Sequence, residues 1–401
     1  FLTLAATYDL ARVLFNRRVA RWTLAVLAVT LWHVHLSRMG FRAVLLPLFT
    51  ALFLAQAARG VRTGRARYWL AAGALYGGMW YTYMAARFTP IALGVVLLAA
   101  LLTHRRETLT HWQGALLFCV VALLVLLPLG VYTLQHPEIV LARTGQVTIF
   151  SPEINGGDFW GTLARHTWNT AAMFFIRGDR IWRHNLAWRP VWDPALGLAF
   201  VIGLGVALGG ISAKAQRRKG ARERGRWGDG GIGRGGEGET GASAFSFVVI
   251  LLWTAVMTLP TLLAEDAPHF LRGVGVLPTA ALFPALGLAW IEWRVANGRM
   301  ANGEWRITHH VSRITFHASR ITHYALLLLA LAFTTHDYFS TYAHAPLAYH
   351  WLEGGAVELA GTLNVARGAG WDGARMLHGP DNGRALLVDR GLWDSWEALP
   401  F

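Results

Sequence analysis

Long apolar blocks run through most of the chain, and short polar segments separate them. Each block is about as long as one helical membrane crossing, or slightly shorter, and together they predict about ten transmembrane helices. The blocks are residues 1–15, 19–36, 41–58, 68–86, 90–103, 112–134, 195–212, 244–263, 273–291 and 322–341. The predicted fold class is therefore an all-α, multi-pass membrane protein.

Basic residues are concentrated on one side of this arrangement. If the helices alternate in direction, that side holds 22 of the 37 Lys and Arg residues. These lie in residues 16–21, 59–67, 104–111, 213–240 and 292–322. Because cytoplasmic loops are rich in Lys and Arg, we predict that the other side is extracytoplasmic and that the protein is integral to the plasma (inner) membrane.

Composition supports this division of the chain. Hydrophobic residues make up 54% and charged residues 15%, which leaves little material for a large soluble domain. The net charge of +14 follows from helix orientation, so we expect no nucleic-acid partner. We predict N-terminal helices over 1–134, an external loop over 135–194, C-terminal helices over 195–341, and an external tail over 342–401 that begins a small domain.

Two cytoplasmic segments, 213–240 and 292–322, are predicted to be disordered loops. The first is rich in Arg and Gly, and its Gly231–Gly236 matches a dinucleotide-binding pattern without the strand which that pattern requires. The second contains a seven-residue repeat that starts at Arg306, Arg313 and Arg320. Its histidines could bind a metal, but a duplicated low-complexity insertion is the favoured interpretation; they are His309, His310, His317 and His323.

The long external loop is predicted to contain a helix of its own. Between Asp158 and Phe175, aromatic and apolar residues alternate with polar ones at helical spacing. Two interpretations stay open. The helix lies on the membrane surface and walls one side of a cavity, or it packs on the bundle.

Four polar clusters stand at the external ends of the predicted helices. The first cluster is Trp32–Arg42, the second Trp80–Pro90, the third Glu265–Arg272 and the fourth Arg177–Asn185. Interfacial aromatic residues and snorkelling Arg would explain any one of them. The cytoplasmic turns lack comparable His, Tyr and acidic groups, however, and ionisable groups at a membrane are costly. The four clusters together therefore predict a functional site on the external side.

The basic and phenolic groups of these clusters suit a lipid phosphate or pyrophosphate. Arg offers a planar fork of donors to phosphate, and Tyr adds hydrogen bonds. The predicted phosphate-binding residues are Arg38, Arg42, Tyr81, Tyr83, Arg87 and Arg272. The predicted supporting polar residues are His33, His35, Asp179, Arg183, His184, Glu265, Asp266 and His269.

Two adjacent carboxylates, Glu265 and Asp266, raise the question of a metal. They could orient the donor or acceptor, or bind a divalent cation, but no further ligand lies at a suitable spacing. We therefore expect no metal site and no required cofactor, with a divalent cation left open.

At these clusters the sequence resembles glycosyltransferase family 39, which includes protein O-mannosyltransferases and the lipid A aminoarabinose transferase, within the C-type glycosyltransferase superfamily. The residues that carry the resemblance are Trp32–Arg42, Tyr81–Arg87, Arg177–Asn185 and Pro268–Arg272 with the following Gly273–Pro278. The resemblance implies a C-type bundle. It also implies an inverting transferase that moves a sugar from a polyprenyl-phosphate donor to a protein, lipid or glycan acceptor on the outer face of the membrane.

In that family an acidic residue in the first external loop acts as base on the acceptor. The present sequence begins at Phe1, inside an apolar stretch, and by the family pattern it starts after that loop. The resemblance therefore implies that the catalytic base lies upstream of Phe1, and it assigns that role to no residue here.

Two functions of other classes remain as alternatives. A transporter or flippase of a lipid-linked or anionic solute would place charged groups near the membrane midplane and show internal repeats, neither of which is evident. A scaffolding subunit would tolerate Ala throughout the external clusters.

Overall fold

The computed structural model describes residues 1–137, 148–224, 244–297 and 324–345, and these ranges are almost entirely helical, with no β-strand among them. We number the helices in chain order. They are α1 Leu2–Leu14, α2 Arg17–Val29, α3 Leu31–Arg38, α4 Leu45–Thr63, α5 Ala66–Met79, α6 Thr89–Thr110, α7 Trp112–Gln135, α8 Pro152–Asn155, α9 Phe159–Ala172, α10 Pro194–Arg224, α11 Ala244–Met257, α12 Leu259–Leu262, α13 Leu277–Ala280, α14 Leu282–Asn297 and α15 324–336. Single 3₁₀ turns occur at Arg42–Val44, Met84–Phe88 and Val274–Val276, and a π-helical turn at Asp337–Tyr342. The all-α membrane fold predicted from the apolar pattern is confirmed.

Six helical segments are long and apolar enough to cross a membrane. They are Arg42–Thr63, Met84–Thr110, Trp112–Gln135, Pro194–Ser212, Ala244–Leu262 and Val274–Arg294. A seventh is possible where α2 and α3, bent by 58° at Thr30, count together as one span. The other predicted spans are helical but shorter, over α1, α5 and α15. The count of ten stays a prediction.

Two predicted spans are interrupted. The block 68–86 ends as a helix at Met79, and residues 80–82 form a turn and residue 83 is extended before the 3₁₀ turn at Met84. The block 19–36 breaks at Thr30, whose backbone is extended (ψ 114°) and whose hydroxyl donates to the carbonyl of Val26 at 2.7 Å. The first break bends α3, which carries most of the first cluster, by 58° from α2, and the second takes Trp80 and Tyr81 of the second cluster out of regular helix.

Two helices extend into the segments that the sequence predicts to be disordered loops. Helix α10 continues to Arg224, so residues 213–224 of the predicted loop 213–240 are helical. Helix formers such as Ala, Lys, Gln and Arg dominate this stretch, and their propensity extends the helix beyond the apolar block. Likewise α14 runs to Asn297, inside the predicted loop 292–322. The Gly231–Gly236 motif, the histidine repeat and the tail beyond residue 345 lie outside the described residues.

The centre of the bundle is the segment Val274–Arg294, in which 89% of the apolar window is buried. Its helix α14 packs against α10 at two glycines. A Cβ built on Gly203 would lie 1.7 Å from the carbonyl oxygen of Phe283, and one on Gly287 would lie 2.0 Å from that of Ala199. Only glycine permits this separation, as is common where membrane helices approach closely.

Helices α6 and α7 form the outer face of the described bundle. Only 22% of the apolar window of Met84–Thr110 and 6% of that of Trp112–Gln135 are buried within the chain. Large apolar side chains such as Leu123 and Leu124 are more than 60% exposed. Such faces are costly in water and are the normal lipid-facing surface of a membrane protein.

Candidate functional site

Contacts join the first, third and fourth polar clusters at one place. The Nε2 atom of His35 lies 3.1 Å from the carbonyl oxygen of Arg183. The rings of Trp32 and Phe270 are 4.5 Å apart between centroids. These contacts place residues of α3 against the loop after α9 and the loop before Val274, which are separated by about 90 residues or more in sequence.

The third and fourth clusters are held together by backbone and ionic contacts. The backbone N–H of Phe270 donates to Oδ2 of Asp179 at 2.7 Å. The guanidinium of Arg180 lies 2.6 Å from a carboxylate oxygen of Asp266 and donates to it. This pairing raises the pKa of Arg180 above its ordinary value, because the neighbouring carboxylate of Asp266 favours the charged form.

The second cluster joins the site through its 3₁₀ turn. The turn Met84–Phe88 contacts both the turn Val274–Val276 and helix α12. Within the cluster, Arg87 is exposed and Tyr83 is half-buried. Tyr81 is 50% exposed and its hydroxyl donates to the carbonyl of Val125 at 2.7 Å. The predicted hydrogen bond from Tyr81 to a phosphate would have to replace that bond.

The four arginines predicted to bind phosphate differ in their surroundings. Arg272 donates to Oε1 of Glu265 at 3.0 Å, so its charge is already balanced. The guanidinium of Arg38 lies over the ring of Tyr338, 4.8 Å from its centroid. Arg42 and Arg87 are exposed. Arg38 and Arg42 are therefore better placed to bind an anion than Arg272 is.

The histidines of the first cluster face inward. His33 is 5% exposed and His35 is 1% exposed. The ring of His35 packs edge-on against Tyr342, with 4.7 Å between centroids. These two side chains support the packing of α3 and do not line an open surface.

The fourth cluster is a closed loop that holds Asp179 and His184. Backbone hydrogen bonds between Gly178 and Trp188 (3.0 Å) and between Trp188 and Asp179 (2.8 Å) close the loop at its base. The side chain of Asn185 lies inside and donates to the carbonyl of Arg189 at 2.7 Å. Asp179 is fully buried as a result, and Oδ1 of its carboxylate also accepts from the N–H of Ile181 at 2.8 Å.

Three buried ligand groups meet at this loop. Ring nitrogens of His184 and His269 and a carboxylate oxygen of Asp179 all lie within 4.8 Å of one another. Burial lowers the pKa of His269 well below its ordinary value, and the charges of His184 and Arg272 act in the same direction. Sequence reasoning grouped these residues only as supporting polar groups.

The structure adds residues that sequence reasoning missed. The turn Asp337–Tyr342, after α15, contacts the first and fourth clusters. Asp337 forms an ion pair with Arg189, and Tyr342 lies 6.0 Å from Trp182 between ring centroids. An acid and two tyrosines at the external end of the last apolar block are the same kind of signal that identified the other clusters.

The helix in the long loop has one packed face and one exposed face. On the packed side, His166 lies 3.1 Å from the carbonyl oxygen of Leu262, and Asn169 donates to the carbonyl of Ala267 at 3.1 Å. On the other side, Trp160 is 75% exposed and Trp168 is 66% exposed. The helix thus packs on the loop of the third cluster while offering aromatic side chains outward.

The comparison with known families matches the N-terminal third of the chain. Residues 1–132 match the sequence model of a family described as dolichyl-phosphate-mannose-protein mannosyltransferase. No curated protein matches the chain.

Two solved structures of an oligosaccharyltransferase from Archaeoglobus fulgidus are similar to the chain. The apo form has a TM-score of 0.42 and 16% identity, over 83% of this chain and 43% of that one. The complex with an inhibitory peptide and a dolichol-phosphate has a TM-score of 0.40 and 14% identity, over the same shares. The chain spans less than half the length of these proteins, and likeness at this level supports no argument about fold or function.

The matched segment contains the first two polar clusters, Trp32–Arg42 and Trp80–Pro90. Residues 1–132 thus match a family of dolichyl-phosphate-mannose-dependent mannosyltransferases, in agreement with the resemblance of these clusters to glycosyltransferase family 39.

Proposed function

We propose that the protein is a membrane glycosyltransferase that takes a sugar from a polyprenyl-phosphate donor. In this proposal the sugar passes to a protein, lipid or glycan acceptor on the extracytoplasmic face of the plasma (inner) membrane. The observation that carries the proposal is the match of residues 1–132 to a family described by a dolichyl-phosphate-mannose donor. The joined polar clusters supply a place where such a donor would bind.

The chemistry requires that a departing lipid phosphate be stabilised. Its negative charge grows in the transition state, and donors fixed near that oxygen lower the barrier. Arg38 and Arg42 stand on either side of the turn at Gly40, which has a positive φ of 70°. In our proposal these two guanidinium groups, with Arg87, bind the phosphate.

The acceptor needs a base. In the family that the sequence resembles, an acidic residue of the first external loop supplies it, and in our proposal inversion at the anomeric carbon follows from direct attack of the acceptor on the donor. No metal is required in this scheme, because Arg side chains compensate the phosphate charge.

The proposal is tested by turnover of Arg variants in the full-length protein. Membranes containing it are supplied with a polyprenyl-phosphate donor that carries labelled mannose. Arg38→Ala and Arg42→Ala should each lower transfer about tenfold or more, since a charge-assisted hydrogen bond is worth ~1.5–3 kcal/mol.

Arg105→Ala is the matched control. Arg105 is exposed and lies near the end of α6, at the opposite end of the helix from Arg87. This variant should keep wild-type transfer. Unchanged transfer in both Arg38→Ala and Arg42→Ala, at equal protein levels, would contradict the assigned phosphate site.

A further inference from the structure

A buried carboxylate and two buried imidazoles meet where the third and fourth clusters touch. Asp179 is fully buried, and His184 and His269 are each 7% exposed. Their ligand atoms lie within 4.8 Å of one another. Asp179 and His184 come from the loop before α10, and His269 comes from the loop before Val274, about 85 residues later.

The Asp179–His184 contact has the spacing of two metal ligands rather than that of a hydrogen bond. Nδ1 of His184 lies 3.3 Å from Oδ2 of Asp179. That nitrogen is buried and has no hydrogen-bond partner in the described part of the chain. In tetrahedral zinc sites with bonds of 2.0–2.1 Å, neighbouring ligand atoms are about 3.3 Å apart.

The second imidazole is stacked beside the first. The ring centroids of His184 and His269 are 4.7 Å apart, with 36° between the planes. The ligand atoms, all within 4.8 Å of one another, would approach by at most about 1.5 Å on metal binding, which small side-chain rotations permit.

Backbone groups hold the three side chains in position. Asp179 accepts from the N–H of Ile181 at 2.8 Å and of Phe270 at 2.7 Å. The N–H of His269 donates to Oγ1 of Thr261 at 2.6 Å. Metal ligands are usually oriented by such outer contacts.

Electrostatics favours a cation at this point. A buried carboxylate is costly unless its charge is balanced. The nearby guanidinium groups of Arg180 and Arg272 are paired with Asp266 and Glu265. A divalent ion between Asp179 and the two imidazoles would balance the buried charge and use the His184 nitrogen that makes no hydrogen bond.

We propose that Asp179, His184 and His269 form a Zn²⁺ site that joins the loop before α10 to the loop before Val274. Two imidazoles and one carboxylate are a normal zinc donor set, with a fourth position for water. Mg²⁺ and Ca²⁺ prefer oxygen ligands, and one carboxylate does not supply them. The site differs from the pair Glu265 and Asp266, which the sequence suggested for a divalent cation and which the structure pairs with arginines.

The test measures zinc bound to the purified full-length protein. Because the histidine repeat could also bind Zn²⁺, His309, His310, His317 and His323 are first changed to Gln. We expect one Zn²⁺ per chain by elemental analysis, and a higher thermal unfolding midpoint with Zn²⁺ than with chelator.

Ligand variants then locate the ion. His184→Gln and His269→Gln should each weaken Zn²⁺ binding by at least about 100-fold, more than loss of an outer contact does. His166→Gln is the matched control, because His166 is also buried but lies 3.1 Å from the Leu262 carbonyl oxygen. That variant should still bind one Zn²⁺.

Spectroscopy on the unaltered site covers the case in which the ligand variants fail to fold. Zinc-edge X-ray absorption of the protein in which only the four repeat histidines are changed to Gln should report two imidazoles and oxygen ligands. Lack of bound Zn²⁺, a spectrum with no imidazole, wild-type binding by both ligand variants, or preference for Mg²⁺ over Zn²⁺ would each overturn the proposal.

Discussion

At the scale of single residues, the site is defined by which charges already have partners. Arg180, Arg189 and Arg272 are ion-paired with Asp266, Asp337 and Glu265. Arg38 contacts an aromatic ring, and Arg42 is exposed. Ion pairing therefore distinguishes arginines that hold the loops together from arginines that are suited to binding a phosphate, and the sequence alone does not show this difference.

Asp193 gives a residue-scale prediction about pH. Its buried side chain accepts from the N–H groups of Ala195 at 3.0 Å and Leu196 at 3.1 Å, at the start of α10. Burial raises the pKa of the Asp193 carboxyl above its ordinary value. At pH values between the pKa of this carboxyl in the unfolded chain and its higher pKa in the folded protein, the folded protein binds more protons than the unfolded chain. The contribution of Asp193 to the free energy of unfolding therefore falls as pH rises through that interval.

Asn at this position keeps the accepting oxygen and cannot titrate. The thermal unfolding midpoint, measured in detergent, should therefore fall less steeply in Asp193→Asn than in the wild type as pH rises above the ordinary pKa of Asp. Asp193→Ala removes the helix cap and should cost ~0.5–2 kcal/mol. A pH profile that is identical in wild type and Asp193→Asn would refute the assignment.

At the scale of elements, apolar blocks predicted the helices well and their interruptions poorly. Each block corresponds to a helix because backbone groups in a bilayer must bond internally. The bend at Thr30 and the turn at residues 80–82 lie inside apolar blocks, where the apolar pattern shows no break. The extension of α10 to Arg224 follows from helix propensity, which a search for apolar runs ignores.

Helix α9 carries the prediction at this scale. One face packs on the third cluster, and its exposed Trp160 and Trp168 are of the type found at membrane interfaces. We expect this face to lie in the headgroup region. In a Cys119→Ser background, which removes the chain's one cysteine, a nitroxide on Trp168→Cys reports its surroundings.

The nitroxide at position 168 should collide with oxygen as often as a label in the headgroup region does. It should collide with a water-soluble nickel chelate less often than a label at Arg105→Cys does. Equal collision with the nickel chelate at both positions would place this face of α9 in water.

At the scale of the whole molecule, the sequence predicted four separate clusters on one side, and the fold joins them. Alternation of helices gave the shared side, but contacts such as Asp179 with Phe270 and His35 with Arg183 arise from tertiary packing. The group Asp179, His184 and His269 was missed as a unit because its members are about 85 residues apart. The contribution of Asp337 and Tyr342 was missed because the last block was considered only as a span.

The central claim is that this chain belongs to a protein that transfers sugar rather than transporting lipid. The most direct measurement uses proteoliposomes of the full-length protein, with a polyprenyl-phosphate donor carrying labelled mannose and a mixture of peptide, lipid and glycan acceptors. The account predicts label covalently attached to an acceptor and release of polyprenyl phosphate, both reduced in Arg42→Ala. Movement of intact labelled donor between leaflets, without any transfer of label, would contradict it and favour a flippase.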